Sequence, residues 1–202
     1  MDARAADRRR RMTSRRFASH AEADAADLAY WMAIPEAERV LQVWRLSLAQ
    51  YGQTGMGTMA PDFVDLLRAF AEADVRYLVV GAYALGLHGR PRATGDLDVW
   101  VEANPENAVR VMHALAAFGA PLTDVTSEDF SREGITYQIG LPPLRIDILT
   151  QLTGLSFAEA WPEHVKAPLG DIEADFIGRE AFVRNKRATG RLKDLGDIEG
   201  LA

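Results

Sequence analysis

Residues 77–102 read YLVVGAYALGLHGRPRATGDLDVWVE. The run Tyr77-Leu78-Val79-Val80 is short, continuous and apolar, the pattern of a buried strand. It ends at Gly81, and Ala82 to His88 then reads as a helix. A helix that starts directly after a strand presents free N–H groups that can hold an anion such as phosphate. A tight turn with no ligand would read the same way. Gly89-Arg90-Pro91-Arg92 turns the chain back and supplies guanidinium groups suited to phosphate oxygens or, equally, to surface ion pairs. Leu97 to Glu102 is a second strand, with Asp96 and Asp98 at its mouth. Side chains two apart on a strand share a face, so the two carboxylates converge. Like charges that close repel unless a cation lies between them, and an oxygen-ligated divalent ion is a natural one. The plainer alternative is a solvated pair of acids.

Downstream, Asn104-Pro105 caps and starts a helix that runs to Phe118 and stops at Gly119. Residues 135–139 and 144–150 read as two strands joined across Gly140-Leu141-Pro142-Pro143, a hairpin. Asp147 interrupts the apolar run of Leu144, Ile146, Ile148 and Leu149, and it faces away from Ile146 and Ile148. It is either an acid on a solvated face or, if the hairpin lies beside Asp98, the third carboxylate of a site suited to two-metal phosphoryl transfer. Ser156 with Glu159 marks a capped turn, Ile172 to Ile177 an edge strand, and the segment from Glu180 onward a helix broken at Gly190. The expected sheet is mixed.

Upstream, Phe63, Leu66, Leu67 and Phe70 share one face of a helix that starts at Pro61. Residues 52–60, with three glycines and no periodicity, read as a linker. Before it, Ser19 with Glu22 opens an alanine-rich helix to about Met32, and Pro35 restarts a second one carrying Val40, Leu41, Trp44, Leu48 and Tyr51. The organisation is thus a basic, disordered arm over 1–18, a helical hairpin over 19–51, a linker over 52–60 and one domain over 61–202. The two helices are too short to bury much alone, so they should cover each other, the domain or another subunit, which makes a homo-oligomer one expectation.

Composition narrows the chemistry. Of the 202 residues, 48% are hydrophobic and 26% charged, as in ordinary globular proteins. No stretch approaches the roughly 18 apolar residues of a membrane span. A cytoplasmic protein without membrane contact is expected. With no cysteine and four scattered histidines, a disulfide framework and a thiolate zinc site are excluded, and any metal should be oxygen-bound. The net charge is −6, yet residues 1–16 carry +5. That arm either touches nucleic-acid phosphates or is a solvated tail.

The segment 77–102 closely resembles the nucleotidyltransferase signature: an apolar strand, glycine, a helix, then Thr94-x-Asp96-x-Asp98 and a strand. Asp147 in LRIDILT matches the third acidic position. From Pro61 to Leu201, including NKRATGRLKDLGDIEGL, the chain resembles small bacterial transferases of abortive-infection and toxin–antitoxin systems. The resemblance implies the polymerase-β-like α+β fold, a mixed sheet flanked by helices. It implies magnesium, two ions, held by Asp96, Asp98 and Asp147, and a nucleoside triphosphate held near Gly81, Ala82, Arg92, Thr94, Lys186 and Lys193. Asp147 would also help deprotonate an attacking hydroxyl on RNA, on a protein or on a small molecule. Lys186, Arg191 and Lys193 before Asp194 match a basic region of the family, or else form a solvated basic face. One position departs: the family's glycine or serine after Gly81 is Ala82 here. That keeps open a catalytically degenerate binding or assembly protein. The helical hairpin has a weaker resemblance to antitoxin-like proteins that would restrain the transferase in cis.

Overall fold

The computed structural model describes residues 7, 12–33, 60–88, 94–141, 144–169, 171–198 and 201. The second helix of the hairpin, most of the linker and the turn carrying Arg92 lie outside these residues.

One mixed sheet of seven strands organises the chain: β1 (Ser14–Phe17), β2 (Tyr77–Val79), β3 (Asp96–Val101), β4 (Thr136–Leu141), β5 (Leu144–Leu149), β6 (Val165–Leu169) and β7 (Ile172–Phe176), in the order β1-β4-β5-β3-β2-β7-β6. The pairs β3·β5 and β2·β7 are parallel and the other neighbours antiparallel. The helices are α1 (His20–Ala33), α2 (Pro61–Glu72), α3 (Gly81–Leu87), α4 (Pro105–Phe118), α5 (Ser127–Phe130), α6 (Phe157–Ala160), α7 (Arg179–Thr189) and α8 (Leu192–Ile198), with a short 3-10 turn at Trp161–Glu163.

Alternation along the central strands sorts the two faces. Leu97, Val99, Val101, Ile146, Ile148 and Tyr137 are all buried on one of them. There α2 covers the sheet, with Phe70 edge-on to Tyr77 at 5.5 Å, and α4 packs beside it. Each large apolar side chain withdrawn from water in this layer contributes about 1.5–3 kcal/mol. The start of α4 is fixed by polar contacts: Asn104 accepts from the Asn107 N–H at 2.8 Å. Buried Asn107 in turn bonds the backbone of Arg76 and Glu102. Gly119 ends the helix in the left-handed region at φ 92°, where a side chain is strained.

Two expectations are corrected. Ile172–Phe176 is internal, and the edge on that side is Val165–Leu169. The segment VKAPL is short and contains Pro168, which a sheet tolerates only where no ladder partner is needed, at an edge. The arm is also ordered from Ser14 to Phe17, which pairs with β4 as the other edge strand. Ser14 Oγ donates to the Pro121 carbonyl at 3.2 Å, Arg16 pairs with Asp129 at 2.8 Å and Phe17 is buried. Those partners come from distant segments, so a short basic stretch gives no local sign of the strand. No described helix is long and apolar enough to cross a membrane.

Candidate functional site

The parallel pairing of β3 with β5 builds the site. Its register sets Asp98 opposite Asp147 and Asp96 opposite Arg145. Because each of these pairs lies two residues from the next, all four side chains leave the same face, away from the apolar layer. Both strands carry their acids next to apolar residues that must point into the core, and this fixes the carboxylates outward. Asp147 is nonetheless 1% exposed, so the alternative of a solvated acid does not hold.

Gly81 shapes the wall beside Asp98. It begins α3 at φ 62°, and a Cβ at this position would lie 1.9 Å from Asp98 Oδ2. Only glycine allows the helix terminus and the carboxylate to approach this closely. Ala82 is buried behind it. Thr94 acts locally, its hydroxyl accepting from the Asp96 N–H at 3.2 Å and so holding the mouth of β3.

Arg145, which the sequence reading passed over, occupies the middle of the cluster. Its Nε donates to Asp147 Oδ1 at 2.7 Å, and its Nη2 donates to Asp147 Oδ2 at 3.0 Å and to Asp96 Oδ2 at 3.1 Å. The period-2 rule pairs it with Asp147, but nothing local shows that Asp96 faces it. Burial pushes the Asp147 carboxyl up to about 8, with the Asp98 charge adding to the effect, while Arg145 pulls against both. The Tyr83 hydroxyl is pushed up to about 12, again by burial and then by Asp96.

Opposite the sheet, α7 and α8 supply the other wall. Lys186 is buried and pairs with Asp194 and, at 3.2 Å, with Asp197. Burial alone would raise Asp194, yet hydrogen bonds from Lys186, Arg191 and Thr189 hold it at about 2. Lys193 is exposed on the same rim. A cleft of about 230 Å³ lies between these walls, lined by Gly81, Ala82, Thr94, Asp96, Asp98, Asp147, Lys186 and Lys193 among others. Every sequence-predicted site residue except Arg92, which lies outside the described residues, therefore meets at one cleft. Gln151, Thr153 and Asn185 also line it and were not foreseen, since they fall in stretches without a motif. Among the described residues no three acidic or histidine side chains are grouped so as to hold a metal ion as they stand.

No family model matches this chain, and neither does any curated protein. Among solved structures it is similar to the antibiotic-resistance factor ANT(2'')-Ia, at 13% identity over 69% of this chain and 80% of that one, with a TM-score of 0.48. It is similar to the lincosamide antibiotic adenylyltransferase LnuA, at 16% identity over 71% of this chain and 96% of that one, TM-score 0.45. A protein of Thermotoga maritima assigned as a nucleotidyltransferase aligns at 12% identity over 70% of this chain and 93% of that one, TM-score 0.47.

Proposed function

We propose that this chain is a metal-dependent nucleotidyltransferase that moves a nucleoside monophosphate from a nucleoside triphosphate to a hydroxyl acceptor. The observation that carries the reading is the register of β3 against β5, which gathers Asp96, Asp98 and Asp147 on one face at a cleft that Gly81 also lines.

The donor chemistry fits magnesium, a hard cation that takes carboxylate oxygens, and the residues that would hold it are Asp96, Asp98 and Asp147. When bound, it would offset the triphosphate charge and polarise the α-phosphoryl group. The chain's own groups account for the remainder. The backbone at the start of α3 offers N–H donors to phosphate oxygens, and Ala82 leaves that donation intact although it lacks a hydroxyl. Lys193 on the rim adds positive charge, whereas Lys186 already spends its charge on Asp194 and Asp197. A carboxylate oxygen of Asp147 takes the proton of the acceptor hydroxyl. As the acceptor oxygen bonds to the α-phosphorus, the bond to the bridging oxygen breaks and pyrophosphate leaves with the electron pair.

The test is incubation with magnesium, each α-labelled triphosphate and a cell extract, followed by separation of RNA, protein and small molecules. Label should enter one fraction with the wild type, and Asp98→Asn should lose it while keeping its fold by circular dichroism. Full labelling by that variant would overturn the assignment of the acids.

Ala82 and the Arg145 contacts favour a second reading, a degenerate member that binds or assembles without turnover. Calorimetric titration with magnesium and each triphosphate separates the two, because a dead scaffold shows no metal-dependent binding. The resemblance to toxin–antitoxin and phage-defence transferases extends the first reading to a toxin-like enzyme restrained in cis by its N-terminal helices. Since β1 belongs to the sheet, the test replaces residues 20–58 with a glycine–serine linker and keeps the strand. Higher activity supports restraint, and unchanged activity removes it.

A further inference from the structure

The cation that the acidic cluster holds in this structure is one of the protein's own side chains. Arg145 precedes Asp147 by two residues on β5, so both leave the same face, and the register puts it directly opposite Asp96. Its three short contacts occupy both oxygens of Asp147 and one of Asp96. These are the oxygens that a divalent ion would take. A guanidinium keeps its charge at any ordinary pH, so it can vacate them only by moving. The neighbourhood is prepared for that movement. Gln138 on β4 stands directly across from Asp147, is 2% exposed, and has neither its amide oxygen nor its amide nitrogen hydrogen-bonded among the described residues. A buried carboxamide with no partner is rare in a folded protein. Once Arg145 leaves, the unpartnered NH2 of Gln138, on the same sheet face across the ladder, can turn to Asp147 as a donor.

Building on the metal-dependent reading above, we infer that Arg145 is the resting counter-ion of Asp147 and Asp96 and competes with the divalent metal for their oxygens. Metal is admitted as Arg145 lets go, and Gln138 then takes up the contact to Asp147. Arg145 is in this sense a positioning residue. It sets how much of the protein is competent to bind metal at any moment, and the apparent affinity falls by that fraction.

The experiment is calorimetric titration of Mn2+ into the full chain without nucleotide, comparing wild type with Arg145→Met and Arg145→Lys. Arg145→Met should bind Mn2+ more tightly by about tenfold, as removal of a competing closed state requires. Arg145→Lys, which keeps the charge but loses the fork, should gain less. A merely structural arginine gives the opposite sign, because its loss would loosen the strand ends and weaken metal binding. If Arg145→Met fails to fold, the wild type still decides. The Arg145 Nε–H resonance should move as Mg2+ is added, while the Nε–H of Arg191, held by Asp194, stays in place. Equal or weaker Mn2+ binding by the folded variants, or an unmoved Arg145 signal at Mg2+ saturation, overturns the inference and leaves nucleotidyl transfer standing. If no form binds metal, the inference and metal dependence fall together, and the labelling assay reports separately whether transfer occurs.

Discussion

Two buried charge clusters face each other across the cleft, and they are balanced in opposite ways. On the helical wall, Asp194 receives hydrogen bonds from Lys186, Arg191 and Thr189, and its carboxyl is held at about 2. On the sheet, Asp147 shares Arg145 with Asp96 and lies next to Asp98, and its carboxyl is pushed up to about 8 by burial and by that neighbouring charge. The same residue type is satisfied in one place and left short of positive charge in the other. A satisfied cluster has little to offer a ligand and serves to tie α7 to α8. An under-compensated one gains from whatever cation arrives, and it is where chemistry is to be sought.

The sharpest way to break this comparison is to unbalance the satisfied cluster. Lys186→Met leaves Asp194 and Asp197 buried without their lysine and should cost about 3–5 kcal/mol, read from denaturant unfolding at neutral pH. A variant that unfolds like the wild type would mean that the helical cluster is no tie. Next in size, Gly81→Ala combines a left-handed φ with a clash against Asp98, and should cost about 1–3 kcal/mol in the same measurement. Transfer should be lost with it, as Asp98 is displaced. Retained labelling at wild-type rate would show that the close approach of Gly81 to Asp98 is dispensable.

The under-compensated cluster makes a prediction of opposite sign. A carboxyl with a raised folded-state pKa contributes stability that is present below the ordinary value of 3.8 and lost as pH rises toward about 8. Asp147→Asn removes this dependence, so its melting temperature relative to wild type should climb between pH 4 and pH 8. A difference that stays flat or falls would contradict the charge deficit. Asp194 behaves in reverse, its contribution being lost only as pH falls from 3.8 through about 2. The smallest effect belongs to Arg191→Ala. Arg191 also reaches Asp194, but its side chain is 48% exposed, so less than about 1 kcal/mol should be lost in denaturant unfolding.

Much of the site was legible because it follows from short-range geometry. The strand run into Gly81, the cap at Asn104, the stop at Gly119 and the capping box of Ser156 with Glu159 each involve residues within a few positions, and all of them appear in the structure. Asp96 with Asp98, and Asp147 against Ile146 and Ile148, are consequences of the two-residue period of a strand. What escaped notice depends on partners distant in the chain. Asn107 reads as an unremarkable helix residue, yet it satisfies the backbone of Arg76 and Glu102. Arg145 reads as a polar residue at the start of a strand, and only the lateral pairing of β5 with β3 gives it Asp96. Lys186 carries a positive charge in the sequence, but the way α8 folds back on α7 leaves little of that charge for a phosphate.

By itself, then, the sequence determined which side of each strand the acids occupy and where α4 starts and stops, because backbone period and capping act within a few residues. The tertiary structure decided that Asp98 lies opposite Asp147, that Arg145 is the cation among them, that Ser14–Phe17 closes one edge of the sheet and that Val165–Leu169 closes the other. Those relations are set by which strands exchange hydrogen bonds and in what register, and such pairing is chosen by the packing of the whole core.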